Sequence, residues 1–137
     1  MTDRAMIHQV RVIFGDTDQM GVVYYANYLR YFESARAALM RHLGLSGKDL
    51  VRLGVQFPVA EASCRYRRPA HYEDLLDVDI AVSELGHARI RFSYVIRRGD
   101  VVLAEGGTTH ACIDASGRPR RIPAELRDAF APVAARA

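Results

Sequence analysis

Only one long stretch of this chain carries a helical period. Across residues 25–43 the apolar positions Leu29, Phe32, Ala35, Leu39 and Leu43 recur at spacings of three and four, which lines one face of a helix. Gly44 follows the last of them, in the place of a C-cap glycine. The other long stretches are strand-like. Residues 7–13 alternate loosely, and 56–68 form a run stopped by Pro69. Residues 75–84 alternate polar with apolar. Residues 88–97 place Ile90, Phe92, Tyr94 and Ile96 on one face, and Gly99-Asp100 turns the chain into 101–113. Two short helices are expected at 46–53, with Ser46 as N-cap and Gly54 closing it, and at about 123–130, started by Pro123. The order is β-α-β-β-β-β, and the short connections imply antiparallel neighbours. One long helix and one sheet must bury their apolar faces on each other. The expected class is α+β, a five-stranded antiparallel sheet around one central helix, as a single domain over 1–137 whose tail, 131–137, frays. One helix does not cover five long strands, so the uncovered sheet surface and edges predict a homo-oligomer.

Composition removes several classes. Half of the 137 residues are hydrophobic and 26% are charged, so the chain is an ordinary globular one. Met1-Thr2-Asp3-Arg4 leads into a strand-like run instead of the apolar core of a signal peptide. No apolar run approaches the ~18 residues of a membrane helix. Cys64 and Cys112 are the only cysteines, without metal-ligand spacing, and are expected to be reduced thiols in the cytoplasm. His71 and His110 also lie outside any metal pattern, so no metal or cofactor is expected. The formal net charge is +3, and nearly all the positive charge is arginine, with Lys48 the single lysine. Arginine suits phosphate groups, but a charge of +3 spread along the chain does not point to nucleic acid.

The chemistry concentrates just before and inside the helix, at Asp16-Thr17-Asp18, Gly21-Val22-Val23-Tyr24-Tyr25, Tyr28 and Tyr31-Phe32-Glu33-Ser34-Ala35-Arg36. Two carboxylates on a short loop sit beside a helix N-terminus, whose free N–H groups and positive dipole end suit a developing oxyanion. Gly21 gives the loop the backbone freedom to enter the helix. Asn27 either caps the helix or hydrogen-bonds within the site. Tyr28, Tyr31 and Phe32 are expected to pack helix against sheet, and Glu33 and Arg36 to pair at i,i+3.

These blocks, with the second block Cys64-Arg65-Tyr66-Arg67-Arg68-Pro69-Ala70-His71-Tyr72-Glu73-Asp74, resemble the hot-dog-fold acyl-CoA thioesterases of the 4-hydroxybenzoyl-CoA thioesterase type. Within that family the match runs towards the Tol–Pal-associated bacterial enzymes, and it extends over about 7–127. The resemblance implies hydrolysis of an acyl-CoA to a free carboxylate and coenzyme A. It makes Asp18 the catalytic carboxylate and the Tyr25 backbone N–H the oxyanion donor, with Gly21 setting loop geometry and Asp16 shaping the loop. The Tol–Pal-associated relatives often carry His where this chain has Tyr25, whereas the 4-hydroxybenzoyl-CoA enzyme carries Tyr. By the same resemblance, candidates for the coenzyme A phosphates are Arg67, Arg68, His87, Arg89, Arg120 and Arg121. The implied assembly is a dimer of hot dogs, extending to a tetramer, with the site at a subunit interface.

The residue types fit a thioester. An ordinary aspartate titrates near 3.9 and is anionic at neutral pH without tuning. Asp18 either attacks the carbonyl to give a mixed anhydride or activates a water. A thiolate leaves without much help from a general acid, so no Ser-His-Asp set is needed, and the chain has no Gly-x-Ser-x-Gly elbow. Two other readings remain: a thioesterase acting on acyl carrier protein, an acidic partner for a basic rim, and a non-catalytic acyl-CoA-binding or scaffold protein of the same fold.

Overall fold

The computed structural model describes residues 6–134. Residues 1–5, and residues 135–137 of the tail expected to fray, lie outside the described residues. The elements are β1 (Met6–Arg11), α1 (Asn27–His42), α2 (Gly47–Leu53), β2 (Val59–Tyr66), β3 (Leu75–Leu85), β4 (Arg89–Arg98), β5 (Val101–Ala111) and α3 (Ala124–Phe130). Short 3₁₀ turns occupy Phe14–Asp16 and Ala131–Val133, and Ala134 then bridges Val82.

The sheet order is β1-β3-β4-β5-β2, with every neighbouring pair antiparallel. Strand β2, expected beside β3 from their short connection, pairs β5 instead, because residues 67–74 carry the chain across to the other edge and β1 takes the free side of β3. The chain therefore leaves one edge of the sheet at β1 and reaches the opposite edge at β2, and α1 lies across the inner face on the way. That face is formed by alternate residues of the strands, Leu76, Val78, Ile80 and Val82 on β3 and Ile90, Phe92, Tyr94 and Ile96 on β4, all buried. Each such side chain taken from water contributes roughly 1.5–3 kcal/mol before entropy is counted.

The buried stripe of α1 is Tyr28, Tyr31, Phe32, Ala35, Ala38 and Leu39. This corrects the periodicity reading at its ends. Leu29 is 39% exposed and Leu43 only half-buried, because one residue is a 100° rotation and the ring of Tyr28 takes the inward position. The helix begins at Asn27, with Tyr25 and Ala26 forming the turn before it. The run at 56–68 pairs as a regular strand only over Val59–Tyr66. Gln56 makes an isolated bridge to Ile113, and the N–H groups of Arg67 and Arg68 both donate to the Leu103 carbonyl. The inner face beyond α1 is covered by α3, whose Leu126 and Phe130 are buried, with the Phe130 ring 6.0 Å from Phe92.

At Gly106 a side chain of α1 comes down on the backbone of β5. The Phe32 ring stacks on Tyr94 at 4.2 Å and 6°, and Gly106 faces Tyr94 on one side and Cys64 on the other. A Cβ at 106 would lie 2.0 Å from the Ser63 carbonyl oxygen and 3.0 Å from Phe32 Cε2. Gly106→Ala is expected to destabilise the protein by about 1–3 kcal/mol through overpacking, measured by denaturant unfolding. An unchanged midpoint would contradict this packing.

A polar chain runs through the same layer. His110 Nδ1 is 3.0 Å from the Phe57 carbonyl oxygen, which only accepts, so Nδ1 carries the proton. In the neutral ring Nε2 then accepts from Thr108 Oγ1 at 2.9 Å. Thr108 accepts from the Tyr94 hydroxyl at 2.7 Å, and Tyr94 accepts from Arg36 Nη1 at 3.0 Å. Burial, helped by the Arg36 charge, lowers the His110 pKa from 6.5. Protonation of His110 would turn Nε2 into a donor, take away the acceptor of the Thr108 hydroxyl proton and place a cation in the buried layer. As pH falls below 6.5 the unfolded chain takes up the proton first, so this contribution to stability is present above 6.5 and is lost below it. His8, also lowered from 6.5 by burial and Arg41, acts in the same direction. The melting temperature is expected to fall between pH 7.5 and 5.5, with a shallower slope in His110→Asn.

Candidate active site

Residues 16–24 form a small hairpin. Asp18 N donates to the Val22 carbonyl at 2.9 Å, Thr17 bridges Val23, and Tyr24 N donates to the Asp16 carbonyl at 2.9 Å. The turn closes through Gly21 N to the Asp18 carbonyl at 3.0 Å, with Gly21 at φ +79°, a value L-residues rarely adopt. The second strand of the hairpin is held from outside by Ala70 and His71: Val23 N donates to the Ala70 carbonyl and Val22 bridges His71.

The two aspartates do different things. Asp16 is buried. Its Oδ2 accepts from the Tyr31 hydroxyl at 2.8 Å and from Ile13 N at 3.2 Å, and its carbonyl also accepts from Asn27 Nδ2 at 2.9 Å. Asn27 thus ties the loop to the helix and does not cap it, since the N-cap position is Ala26. Burial, and then the bond to Asp16, push the Tyr31 phenol far above its ordinary range, so Tyr31 stays a donor. Asp18 is half-buried. Its Oδ1 accepts from Met20 N at 2.9 Å in an Asx turn, and its Oδ2 has no hydrogen-bond partner among the described residues.

Where the hairpin feeds the helix, Asn27 N donates to the Tyr24 carbonyl at 2.8 Å and Leu29 N to the Ala26 carbonyl at 3.2 Å. The N–H groups of Tyr25 and Ala26 donate to nothing among the described residues, as the orphan donors of a helix start do. The Tyr25 carbonyl accepts from the Tyr66 hydroxyl at 2.9 Å. Tyr66 lies at the end of edge strand β2, and its ring meets Tyr28 at 5.1 Å and Tyr25 at 6.4 Å. Its phenol is pushed up to about 12, mainly by burial and then by Cys64, which keeps the donating proton in place at neutral pH. Tyr25, Tyr28, Tyr66, Arg67 and Arg68 line a cleft of about 280 Å³ beside the turn. Nothing local in the sequence marks Tyr66 as part of this site. Its partner is 41 positions away, and only sheet topology brings them together.

The basic residues separate into two groups. Arg67 and Arg68 flank Tyr25. Arg67 pairs with Glu105, whereas the Arg68 side chain makes no hydrogen bond among the described residues. The other four lie at the opposite end of the sheet. Arg89 pairs with Glu84 at 2.8 Å, and Arg120 donates to the Leu53 and Gly54 carbonyls. Arg121 lines a cleft of about 250 Å³ with Arg120 and Arg127, and Ile122 N donates to the His87 carbonyl. Tyr66 pairs with Ala104 and Arg89 with Ala111, so about 24 Å of sheet divides the groups.

The architecture is that of the hot-dog thioesterases. A family model described as the thioesterase-like superfamily matches residues 12–130, and the chain belongs to that superfamily. It is 35% identical over 132 residues to the acyl-CoA thioesterase YbgC of Haemophilus influenzae, covering 95% of this chain and 97% of that one. It is 34% identical over 122 residues to a 1,4-dihydroxy-2-naphthoyl-CoA hydrolase of Synechococcus elongatus, covering 86% and 90%. Among solved structures, a 1,4-dihydroxy-2-naphthoyl-CoA thioesterase from Synechocystis superposes with a TM-score of 0.84 at 26% identity, covering 90% of this chain and 93% of that one.

Tyr31→Phe removes the hydroxyl donor from buried Asp16. A loss of about 1–3 kcal/mol is expected for the under-satisfied carboxylate, read by denaturant unfolding. Wild-type stability in this variant would contradict the anchoring role given to Asp16.

Proposed function

We propose that this protein hydrolyses the thioester of an acyl-CoA to a free carboxylate and coenzyme A. The observation that carries the reading is the pairing of Asp18, whose Oδ2 has no partner among the described residues, with the undonated N–H groups of Tyr25 and Ala26 on the turn that its hairpin feeds. The names of the relatives support the substrate class.

Asp18 acts in one of two ways. As nucleophile, its carboxylate adds to the thioester carbonyl, the C–S bond breaks to release the coenzyme A thiolate, and water hydrolyses the resulting anhydride. As general base, it takes a proton from the water that attacks instead. In both routes the Tyr25 N–H holds the oxygen on which negative charge develops, and Gly21 sets the turn that places Asp18. Neither route requires a metal or cofactor.

The proposed working unit is a homodimer, paired through β2 and able to assemble further into a tetramer. Support comes from β2 itself: all of its residues but Cys64 are exposed, and Val59 and Tyr66 remain 52% and 46% accessible. Antiparallel pairing of two β2 edges sets the Arg67–Arg68 end of one subunit beside the opposite end of its partner. A coenzyme A nucleotide would then meet Arg67 and Arg68 from one subunit, and His87, Arg89, Arg120 and Arg121 as they occur on the other. Arg68 and Arg121 are the readiest to take phosphate, since their side chains make no hydrogen bond among the described residues. Both cysteines are free thiols, which suits the proposed cytoplasmic setting. No helix among the described residues is long and apolar enough to cross a membrane.

Thiol release measured across short, long and aromatic acyl-CoAs tests the activity. Asp18→Ala is expected to lower kcat at least about 100-fold, and comparable turnover in the variant would remove Asp18 from the mechanism. A single turnover in ¹⁸O water separates the routes, since label in the Asp18 carboxylate requires the anhydride.

A further inference from the structure

A second cavity, of about 310 Å³, opens between α1 and the sheet on the side away from the hairpin. Met40 of α1, Leu50 of α2, Phe57, Phe92 of β4 and Phe130 of α3 give it apolar walls. Met40 lies 13 residues along the helix from Asn27, about 20 Å from the turn that carries the undonated N–H groups. An apolar cavity of ~150 Å³ already accommodates benzene, so this one has room for a medium-length aliphatic chain or a fused pair of rings.

Three polar side chains face it: Arg36, Glu33 and His110. Both nitrogens of His110 are taken, by Phe57 and Thr108, and burial keeps its ring neutral. The Arg36 side chain is only 19% exposed and uses one N–H on the Tyr94 hydroxyl. Its counter-charge is loosely held: Glu33 Oε1 stands 3.9 Å from Nη2 on a side chain that is 75% exposed. A guanidinium with spare donors, set in an apolar cavity, favours an anion that can pair with it bidentately while an apolar body fills the walls.

We propose that this cavity binds an apolar carboxylate, its chain against the phenylalanines and its carboxylate on Arg36 in place of Glu33. Two sources share this chemistry. One is a free carboxylic acid, the class of product that thioester hydrolysis releases. The other is a carboxylate at the far end of a longer substrate. The binding itself does not depend on the hydrolytic reading.

Calorimetric titration with decanoate, 1-decanol and decylammonium tests the site on wild type, Arg36→Gln, Glu33→Gln and Ala37→Phe, the last placing a ring in the cavity from the exposed side of α1. Decanoate is expected to bind wild type roughly tenfold or more tightly than the alcohol or the amine, and Arg36→Gln to lose that preference. Glu33→Gln should tighten decanoate by removing the competing carboxylate, and Ala37→Phe should abolish binding with an unchanged melting temperature. Equal binding of decanol and decanoate to wild type, unaltered decanoate binding in Ala37→Phe, or weaker binding in Glu33→Gln would each overturn the proposal. If Arg36→Gln does not fold, the other two variants decide. A lower KM for the coenzyme A thioester of decanedioic acid than for decanoyl-CoA, lost in Arg36→Gln, would assign the site to the substrate's far end. Equal KM values with decanoate still bound would assign it to the free acid. Decanoate binding without any thioester hydrolysis would count against the proposed function and leave the cavity assignment standing.

Discussion

The seating of Phe32 on Tyr94 over Gly106 sets the distance between α1 and the sheet. The glycine leaves the space, the stacked rings fill it, and the helix axis is fixed by the fit, because a close-packed interior does not deform by a methyl group without cost. Two consequences lie at opposite ends of the helix. Its N-terminal turn is held where the hairpin of residues 16–24 feeds into it. Its far half stands off the sheet, with phenylalanines and Arg36 lining the gap.

The hairpin needs its own anchor because Asp18 cannot serve as one and also present a free oxygen. Asp16 takes that task, holding Ile13, Tyr24, Asn27 and Tyr31 through one carboxylate and one carbonyl. Neighbouring acidic residues thus divide into a buried structural group and a half-buried group with an oxygen to spare. Tyr66 adds a link of another kind. Its hydroxyl binds the carbonyl of the turn that carries the undonated N–H groups, and its backbone belongs to the exposed edge strand. Whatever pairs with that edge therefore bears directly on the turn.

Much of this was legible in the sequence where the signal is local. The alternation at 88–97 marks the four inward residues of β4, all of them buried. Ser46 as N-cap and Gly54 as the closing residue bound α2 as expected, and the structure adds the reciprocal bonds between Ser46 and Asp49. The run at 56–68 was overread: Pro58 has no N–H to pair, leaving only an isolated bridge at Gln56 before β2, and after Tyr66 the N–H groups of Arg67 and Arg68 converge on one carbonyl instead of continuing the ladder. The α1 stripe was displaced onto Leu29 because a leucine is the stronger apolar signal, while the tyrosine beside it has a hydroxyl that serves the buried Ala70 N–H at 3.2 Å.

By itself the sequence determined the element order, the antiparallel turns from β3 to β4 and from β4 to β5, the loop with its two aspartates and a glycine, and a helix starting just after it, but not the partner of β2, which its short connection to β3 misassigns. These follow from period, capping and backbone freedom, which act over a few residues. The tertiary structure alone decided which edge β2 occupies, which aspartate is buried, the division of the arginines between the two ends of the sheet, and the chain from Arg36 through Tyr94 and Thr108 to His110. Arg36 and Tyr94 stand 58 positions apart, and Tyr25 and Tyr66 stand 41 apart. Contacts of that separation are set by strand register and helix seating, which no local pattern encodes.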